Sequence, residues 1–590
     1  MKIKNFIKKE YPIVLIILFY IVLHITLTSS FVSLPSPIYG GDYYYQLGQT
    51  SHILNGGNPF ESSTIPDALP GYFITYSIVA TAFAFMFGLI QGTLILSMCI
   101  MVASIIIFYA LCRKLFEDKL LSVIGALIFI PMTFLPIIKY TNFAQFLIFP
   151  IFLLLLFNFY KNKSYWNAIF LGLIYGIAGI THSILFISIS FFLLLFFIYF
   201  CIFQRRFLCD IKYYIIIFAI GVSIALLYWW HPLFTYHGKT SMNYRQWNGV
   251  IMNTIGSKFA ILWSGVIKEY FLNFTDISKA ILSIFLIIGS AGMIWIKRTK
   301  LFKIKYLKFL FFAFLIIFLH YFITYYFGFE FHPLKISYIC FTTIFLLVAL
   351  CGISIVSDFF KSNKRKYFLI AIILILIGTQ VFLLVDRTKY EWFDVGKEEL
   401  PPYIINMQNY IDDNTDVNDV VLTTKELGFA LNALTGRKLL ITRRAQNDPF
   451  IDMDIREMTA AIILYGNDDD KRERLIEEND IKYLYWDENW INSEYRFDEE
   501  GNMVMWFDPL IAFQSEYRKD VFNKFNISIF EANTWVDPAL RGEEYRTFDL
   551  IFVSPDNYRT FEKPWNEGLD KYLKEVWRHQ NNAVLYEVQI

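Results

Sequence analysis

The stretch Tyr39-Gly40-Gly41-Asp42-Tyr43-Tyr44-Tyr45-Gln46-Leu47-Gly48, running on to Asn55-Gly56-Gly57-Asn58-Pro59-Phe60, is the first long polar segment of the chain. It follows directly on an apolar run over about 11–31, and about 20 apolar residues suffice to cross a bilayer. Apart from Glu10, Asp42 is the only acidic residue before Glu61. A carboxylate at the centre of a membrane helix costs roughly 2.5–3.5 kcal/mol, so Asp42 belongs in water just beyond the first span. A lone carboxylate there, among tyrosines and glycines, is a candidate reacting group. The same residue is suited to cap a helix starting at Tyr43.

Outward from this stretch the chain reads as membrane for most of its first 390 residues. Of its 590 residues 56% are hydrophobic and only 18% charged, which is too apolar for a soluble protein of this size. Ten further spans follow the first, at about 92–112, 120–138, 143–160, 166–182, 184–203, 213–231, 278–296, 308–327, 336–356 and 367–385. Lysine and arginine cluster at the N-terminus and in alternate loops, at Arg113 and Lys114, Lys161 and Lys163, Arg205 and Arg206, 297–305 and 361–366. Placing these in the cytoplasm obeys the positive-inside rule and puts the Asp42 loop outside. Residues 71–89 are apolar enough to span, but a crossing there would swap every later basic loop. They are expected to lie at the outer surface, between Pro70-Gly71 and Gly88. The remaining outer loops are 139–142, 232–277 and 328–335.

After Asp386-Arg387 the composition becomes polar. Val420–Thr424, Lys438–Thr442 and Ile481–Tyr485 read as strands; Lys425–Leu434, Asp454–Tyr465 and Asp469–Glu477 read as helices, with Gly436 as a helix stop. Later strands are expected at Leu550–Val553 and Ala583–Val588. This alternation predicts an α/β domain with a largely parallel sheet. The chain thus divides into a polytopic helical membrane domain of about eleven transmembrane helices, 1–388, and an extracytoplasmic α/β domain, 389–590. All six cysteines precede residue 390, so the outer domain needs its own packed core. No histidine pair has metal-binding spacing, no cofactor is expected while dependence on a divalent metal stays open, and a net charge of +1 gives no reason to expect nucleic acid.

The loop Asp42-Tyr43-Tyr44-Tyr45-Gln46-Leu47, the turn Leu54-Asn55-Gly56-Gly57-Asn58-Pro59, and the many-helix layout with an outer domain resemble the GT-C superfamily of membrane glycosyltransferases. The loop is similar to that of archaeal oligosaccharyltransferase catalytic subunits, and the layout to protein O-mannosyltransferases and lipid A aminoarabinose transferases. Thr435-Gly436-Arg437-Lys438 and the final strand resemble domains appended to such proteins in archaea. The resemblance implies transfer of a sugar from a polyprenyl-phosphate-linked donor to a glycan, lipid or protein acceptor, on the outer face of a cytoplasmic membrane, among membrane lipid. Two features depart from it. The next outer loop carries Lys139, Asn142 and Gln145 where a metal-binding acidic pair stands in oligosaccharyltransferases. Neither Trp486-Asp487-Glu488-Asn489-Trp490 nor Trp229-Trp230-His231-Pro232 is their Trp-Trp-Asp-Tyr-Gly motif.

Displacement of a phosphate at an anomeric carbon needs a base for the acceptor and positive charge for the leaving group. Asp42 is the candidate catalytic base. Lys335 at the mouth of the tenth span is the first candidate for donor phosphate, with His332, Arg245 and Lys139 behind it. An interfacial lysine that reaches for water looks the same in sequence. Tyr43 and Tyr44 suit a sugar face, though an aromatic belt predicts the same residues. Asn142 and Gln145 suit sugar or phosphate, or polar packing at a helix end. Two other function classes fit the layout: a transporter or flippase of lipid-linked saccharides, and a non-catalytic surface-assembly scaffold.

Overall fold

The computed structural model describes residues 10–39, 42–70, 74–133, 137–204, 207–239, 241, 263–295, 307–326, 333–389, 391–444, 448–497, 503–506, 509–534, 548–553 and 559–590. A helix occupies each of the eleven expected spans: α1 (Tyr11–Thr28), α4 (Leu89–Phe116), α5 (Lys119–Thr133), α6 (Tyr140–Lys161), α7 (Tyr165–Gly179), α8 (Ser183–Gln204), α9 (Phe207–Thr235), α10 (Ile277–Trp295), α11 (Leu307–Tyr326), α12 (Pro333–Asp358) and α13 (Ser362–Arg387). Among the described residues, seven helices are long and apolar enough to cross a membrane. The protein is a multi-pass membrane protein.

The bundle is built around α12, which is buried almost throughout from Cys340 to Asp358. It meets α10 at a close crossing: a Cβ on Gly289 would overlap the Val348 carbonyl, and one on Gly352 the Phe285 carbonyl. Small residues let helices approach closely where lipid offers no hydrophobic drive for association. Gly172 and Gly176 of α7 do the same against α9.

Between α1 and α4 lie two shorter helices, α2 (Asp42–Leu54) and α3 (Ile74–Phe87). At 14 residues, α3 is about 21 Å long. Its start is held by Thr75, whose N–H and hydroxyl donate to the Ile180 carbonyl just past α7. It ends at Gly88, where α4 begins. In a bundle threaded up and down, the end of α7 and the start of α4 lie on the same side. Residues 74–87 therefore begin and end on the same side of the bundle. One boundary is corrected: 140–142 is not a turn but the first part of α6, which continues through a π-helical segment, Ala144–Ile148.

The C-terminal domain follows as α14 (Pro402–Asn414), β1 (Val420–Leu422), α15 (Lys425–Thr435), β2 (Lys438–Leu439), α16 (Met453–Tyr465), α17 (Asp469–Glu478), β3 (Ile481–Asp487), β4 (Tyr495–Phe497), β5 (Met503–Trp506), β6 (Ile511–Phe513), α18 (Glu516–Lys524), β7 (Ile529–Thr534), β8 (Phe548–Val553), β9 (Leu573–His579) and β10 (Ala583–Val588). Caps set these helices, and of them only the stop at Gly436 was expected from the sequence. The Thr424 hydroxyl accepts from Leu427 N–H, Asp452 and Asp468 cap α16 and α17, and Gly436 ends α15 with φ +71°.

The sheet corrects the expectation of a largely parallel one. Its order is β2-β1-β3-β10-β9; the first three strands are parallel, but β10 is antiparallel to β3 and β9 to β10. Strands β9 and β10 are joined by a three-residue turn, and a hairpin forces antiparallel pairing. The 548–553 strand belongs instead to a separate antiparallel sheet, β6-β8-β7, beside a small β4-β5 ribbon. Buried charge joins the two sheets. On α16, Glu457 accepts from Lys425, Arg444 and Ile511 N–H, and Asp454 accepts from Phe513 N–H and pairs with Arg444 and Arg518. Such pairs add little net stability but penalise any other arrangement.

Candidate functional site

The candidate site is organised by α2, whose first residue is Asp42. Of Asp42 and Lys335 only the main chain is described, at the first residue of α2 and the third of α12. Arg245 and His332 lie outside the described residues.

The start of α6 is tied to α2 by one amide. Gln46 Nε2 donates to the Tyr76 hydroxyl (3.1 Å) and the Ile138 carbonyl (3.2 Å), and its Oε1 accepts from Tyr140 N–H (3.1 Å). This fixes Lys139 beside the start of α2, where its Nζ lies 4.9 Å from the centre of the Tyr43 ring. A cation–π contact of this kind is worth about 0.5–1 kcal/mol at an exposed site. Tyr140 stacks on His182 at 5.3 Å. The structure thus brings Tyr43 and Lys139 together next to Asp42.

The other candidates are engaged in packing. Tyr44 is buried, and its hydroxyl accepts from Leu34 N–H, so it does not offer its ring to a sugar. Tyr45 packs on Phe429. The Asn142 side chain accepts from Lys139 N–H at 3.4 Å. Gln145, inside the π-helical segment, is buried and donates to the Thr342 hydroxyl of α12 (3.0 Å), which also meets the Tyr270 hydroxyl (3.1 Å). An extra residue per turn re-aims a side chain, and here Gln145 points at α12.

The C-terminal domain holds α2 from its other side. Ser51 Oγ donates to the Ala433 carbonyl (2.7 Å), Asn55 Nδ2 to Thr435 (2.8 Å), and His52 Nδ1 meets the Gly436 carbonyl (2.9 Å). Ala433 and Thr435 are among the last carbonyls of α15, which lack partners within their own helix, and Gly436 is the residue that ends it. Burial holds the His52 imidazole below its usual range, against the pull of the Gly436 carbonyl. The neutral ring then donates from Nδ1. Next along the chain, Thr64 O accepts from Leu439 N–H (2.6 Å) at the β2 edge, Ser63 O accepts from Asn432 (2.7 Å), and Leu69 N–H donates to Asp448 (2.9 Å).

Sequence reasoning missed Gln46, Tyr39 and Asp487. Gln46 carries a usable signal, a lone amide in an aromatic run next to the candidate base. Tyr39 and Asp487 carry none, because their contact spans 448 residues.

No family model matches the chain. The structure is similar to the oligosaccharyltransferase of Archaeoglobus fulgidus, crystallised with Zn and sulfate, with a TM-score of 0.47 and 14% identity over 84% of this chain and 72% of that one. It is also similar to ArnT from Cupriavidus metallidurans bound to undecaprenyl phosphate, with a TM-score of 0.46 and 11% identity over 92% of this chain and 98% of that one. At that degree of overlap the fold assignment rests on the helices and sheets themselves. A relative in Methanocaldococcus jannaschii, the uncharacterized protein MJ1080, is 42% identical over 129 residues, which are 21% of this chain and 94% of the relative. By that stretch, the chain belongs to the family of MJ1080.

Proposed function

We propose that this protein is an inverting glycosyltransferase of the cytoplasmic membrane. It takes a sugar from a polyprenyl-phosphate-linked donor and passes it to a glycan, lipid or protein acceptor on the outer face. The observation that carries this reading is the Lys139 ammonium on the Tyr43 ring at the start of α2. It sets a cation against the residue that follows Asp42 in the chain.

In this reading Asp42 takes the proton of the acceptor hydroxyl as its oxygen bonds to the anomeric carbon. The bond from that carbon to the phosphate oxygen breaks, and its electron pair leaves with the polyprenyl phosphate. Lys139 and Lys335 receive that charge, and a phosphate is already a good leaving group. The segment 139–145 supplies an ammonium and two amides but no carboxylate. Among the described residues, no group of three or more His, Cys, Asp or Glu side chains is placed to hold a metal ion. These residues do not fit a divalent cation, and no step runs through one. The C-terminal domain forms the outer wall of the site and binds acceptor.

The test is consumption of labelled polyprenyl-phosphate sugars by the purified full chain against Asp42→Asn. A positioned base contributes about 10²–10⁴-fold, so turnover falls by about a hundredfold or more while the protein still melts as wild type. Lys139→Met and Lys335→Met each reduce turnover less. Turnover retained in Asp42→Asn makes Asp42 a helix-start residue only. No turnover by wild type across donors and acceptors moves the assignment to transport or scaffolding.

A further inference from the structure

A polar cluster outside the site just described sits at the C-terminal end of β3. Asp487 is completely buried. Its Oδ2 accepts from the hydroxyls of Tyr39 (2.8 Å) and Tyr485 (3.1 Å), and its Oδ1 accepts from Asn489 N–H (2.8 Å). The Tyr39 hydroxyl in turn accepts from the Tyr403 hydroxyl of α14 (3.1 Å) and from Asn489 Nδ2 (3.3 Å), which also donates to Tyr403 (2.9 Å). Tyr39 stands three residues before Asp42. A tyrosine hydroxyl with one donor bond and two acceptor bonds, one of them to a buried carboxylate, has one position open to it. The same domain clamps the chain earlier, where Val32 N–H and Ser33 N–H donate to the Gly396 carbonyl (2.9 and 3.1 Å).

We propose that Asp487 is a positioning residue for Asp42: through Tyr39 it fixes where the first outer loop enters α2, so the C-terminal domain sets the place of the base. This rests on the catalytic reading of Asp42 for its functional consequence, but not for the positioning itself.

The test is amide hydrogen exchange on the full-length protein in nanodiscs, comparing wild type, Tyr39→Phe, Asp487→Ala and Asp487→Asn. The halves of α2 are read separately, because its second half is held independently by α15. Tyr39→Phe and Asp487→Ala are expected to speed exchange of the 42–47 amides by about tenfold or more and leave 51–54 unchanged. Asp487→Asn, which keeps one acceptor oxygen, recovers part of the protection. A uniform rise over both halves marks a merely structural role and overturns the proposal, as does no change at 42–47. Turnover is read on the same variants. With the site assigned correctly, kcat falls about tenfold or more while the donor KM stays within about twofold. Local loosening without turnover in any variant, wild type included, leaves the positioning standing and removes the glycosyltransferase reading.

Discussion

The two ends of α2 are held in different ways. Its second half meets α15 through main chain and small residues. Ser51, His52 and Asn55 fill the open carbonyls of α15, and a Cβ on Gly48 would overlap the Asn432 side chain. Its first half meets the bundle through the Gln46 amide and the Lys139–Tyr43 contact. A close-packed main-chain joint has almost no room to adjust. A joint made by two long side chains can reorganise. Side chains hold the half that carries Asp42, at Tyr39 and Tyr45 as well as here, so it is the more adaptable of the two, and the main-chain joint ties the helix to the C-terminal domain.

The largest effect that tests this contrast comes from the rigid joint. Gly436 has φ +71°, and a Cβ there would overlap the backbone nitrogen of His52. Gly436→Val combines left-handed backbone strain with an unyielding clash, each costing on the order of 1–3 kcal/mol. The expected outcome is a large drop in thermal midpoint and in yield of monodisperse protein. Gly378→Ala, in open space on α13, leaves both unchanged. If Gly436→Val melts as wild type, the joint is not rigid.

The adaptable joint gives a smaller and different effect. Gln46→Leu keeps the bulk but leaves Ile138 O and Tyr140 N–H without this partner, at about 1–3 kcal/mol for each buried group. The thermal midpoint falls by less than for Gly436→Val. Turnover falls more than the midpoint suggests, because Lys139 loses its place beside Tyr43. Equal proportional losses in both variants would abolish the distinction between the two halves.

A third effect appears only with pH. Burial lifts the Asp487 carboxyl to about 6, against hydrogen bonds from Asn489, Tyr39 and Tyr485 that favour its ionised form. The folded protein therefore holds this proton over a range where the unfolded chain, with an ordinary carboxyl near 4, has lost it. Stability falls as pH rises from about 4 to about 6 and is then level. Asp487→Asn removes that slope. The difference in thermal midpoint between mutant and wild type should grow in the mutant's favour across the window. A constant difference from pH 4 to 7 would show that the carboxyl titrates alike in both states.

How far the sequence foretold this arrangement depends on the range of the interaction. Apolar runs of about 20 residues located the long apolar helices, seven of which among the described residues are long enough to cross a membrane, because each span satisfies its own backbone bonds. Lys425–Leu434 and its stop at Gly436 were legible for the same local reason. The sheet was less so. Parallel strands β1 and β3 announce themselves through buried apolar runs, but the pairing of β6 with β8 joins residues about forty apart, and no local pattern carries it. At the site, a helix start beside Asp42 was legible from the Gly-Asp step before a helical run, while the contact of Lys139 with Tyr43 was not. The burial of Tyr44 and Gln145 did not, since three consecutive tyrosines have no periodicity to say which one faces inward. The hold of the C-terminal domain on α2 is made by Ser51, His52, Asn55 and Gly436, none distinctive in isolation.

The smallest expected effect lies at the rim of the rigid joint. Glu61 pairs with Lys438 at 3.3 Å and accepts from Asn58 at 3.0 Å. Burial acts to raise its carboxyl, but the hydrogen bonds from Asn58 and Lys438 prevail and hold it below the usual range. With the folded value depressed, the contribution is present at neutral pH and is lost as pH falls through the folded value, opposite in sign to that of Asp487. The Glu61 side chain is 46% exposed, so solvent screens the pair, and exposed pairs are worth about 0.2–1 kcal/mol. Glu61→Gln should lower the thermal midpoint slightly at pH 7 and low salt, and not at all in strong acid or high salt. A loss at pH 7 as large as that of Gln46→Leu would place Glu61 in the rigid contact itself, where main-chain bonds such as Leu439 N–H to Thr64 O are expected to hold without it.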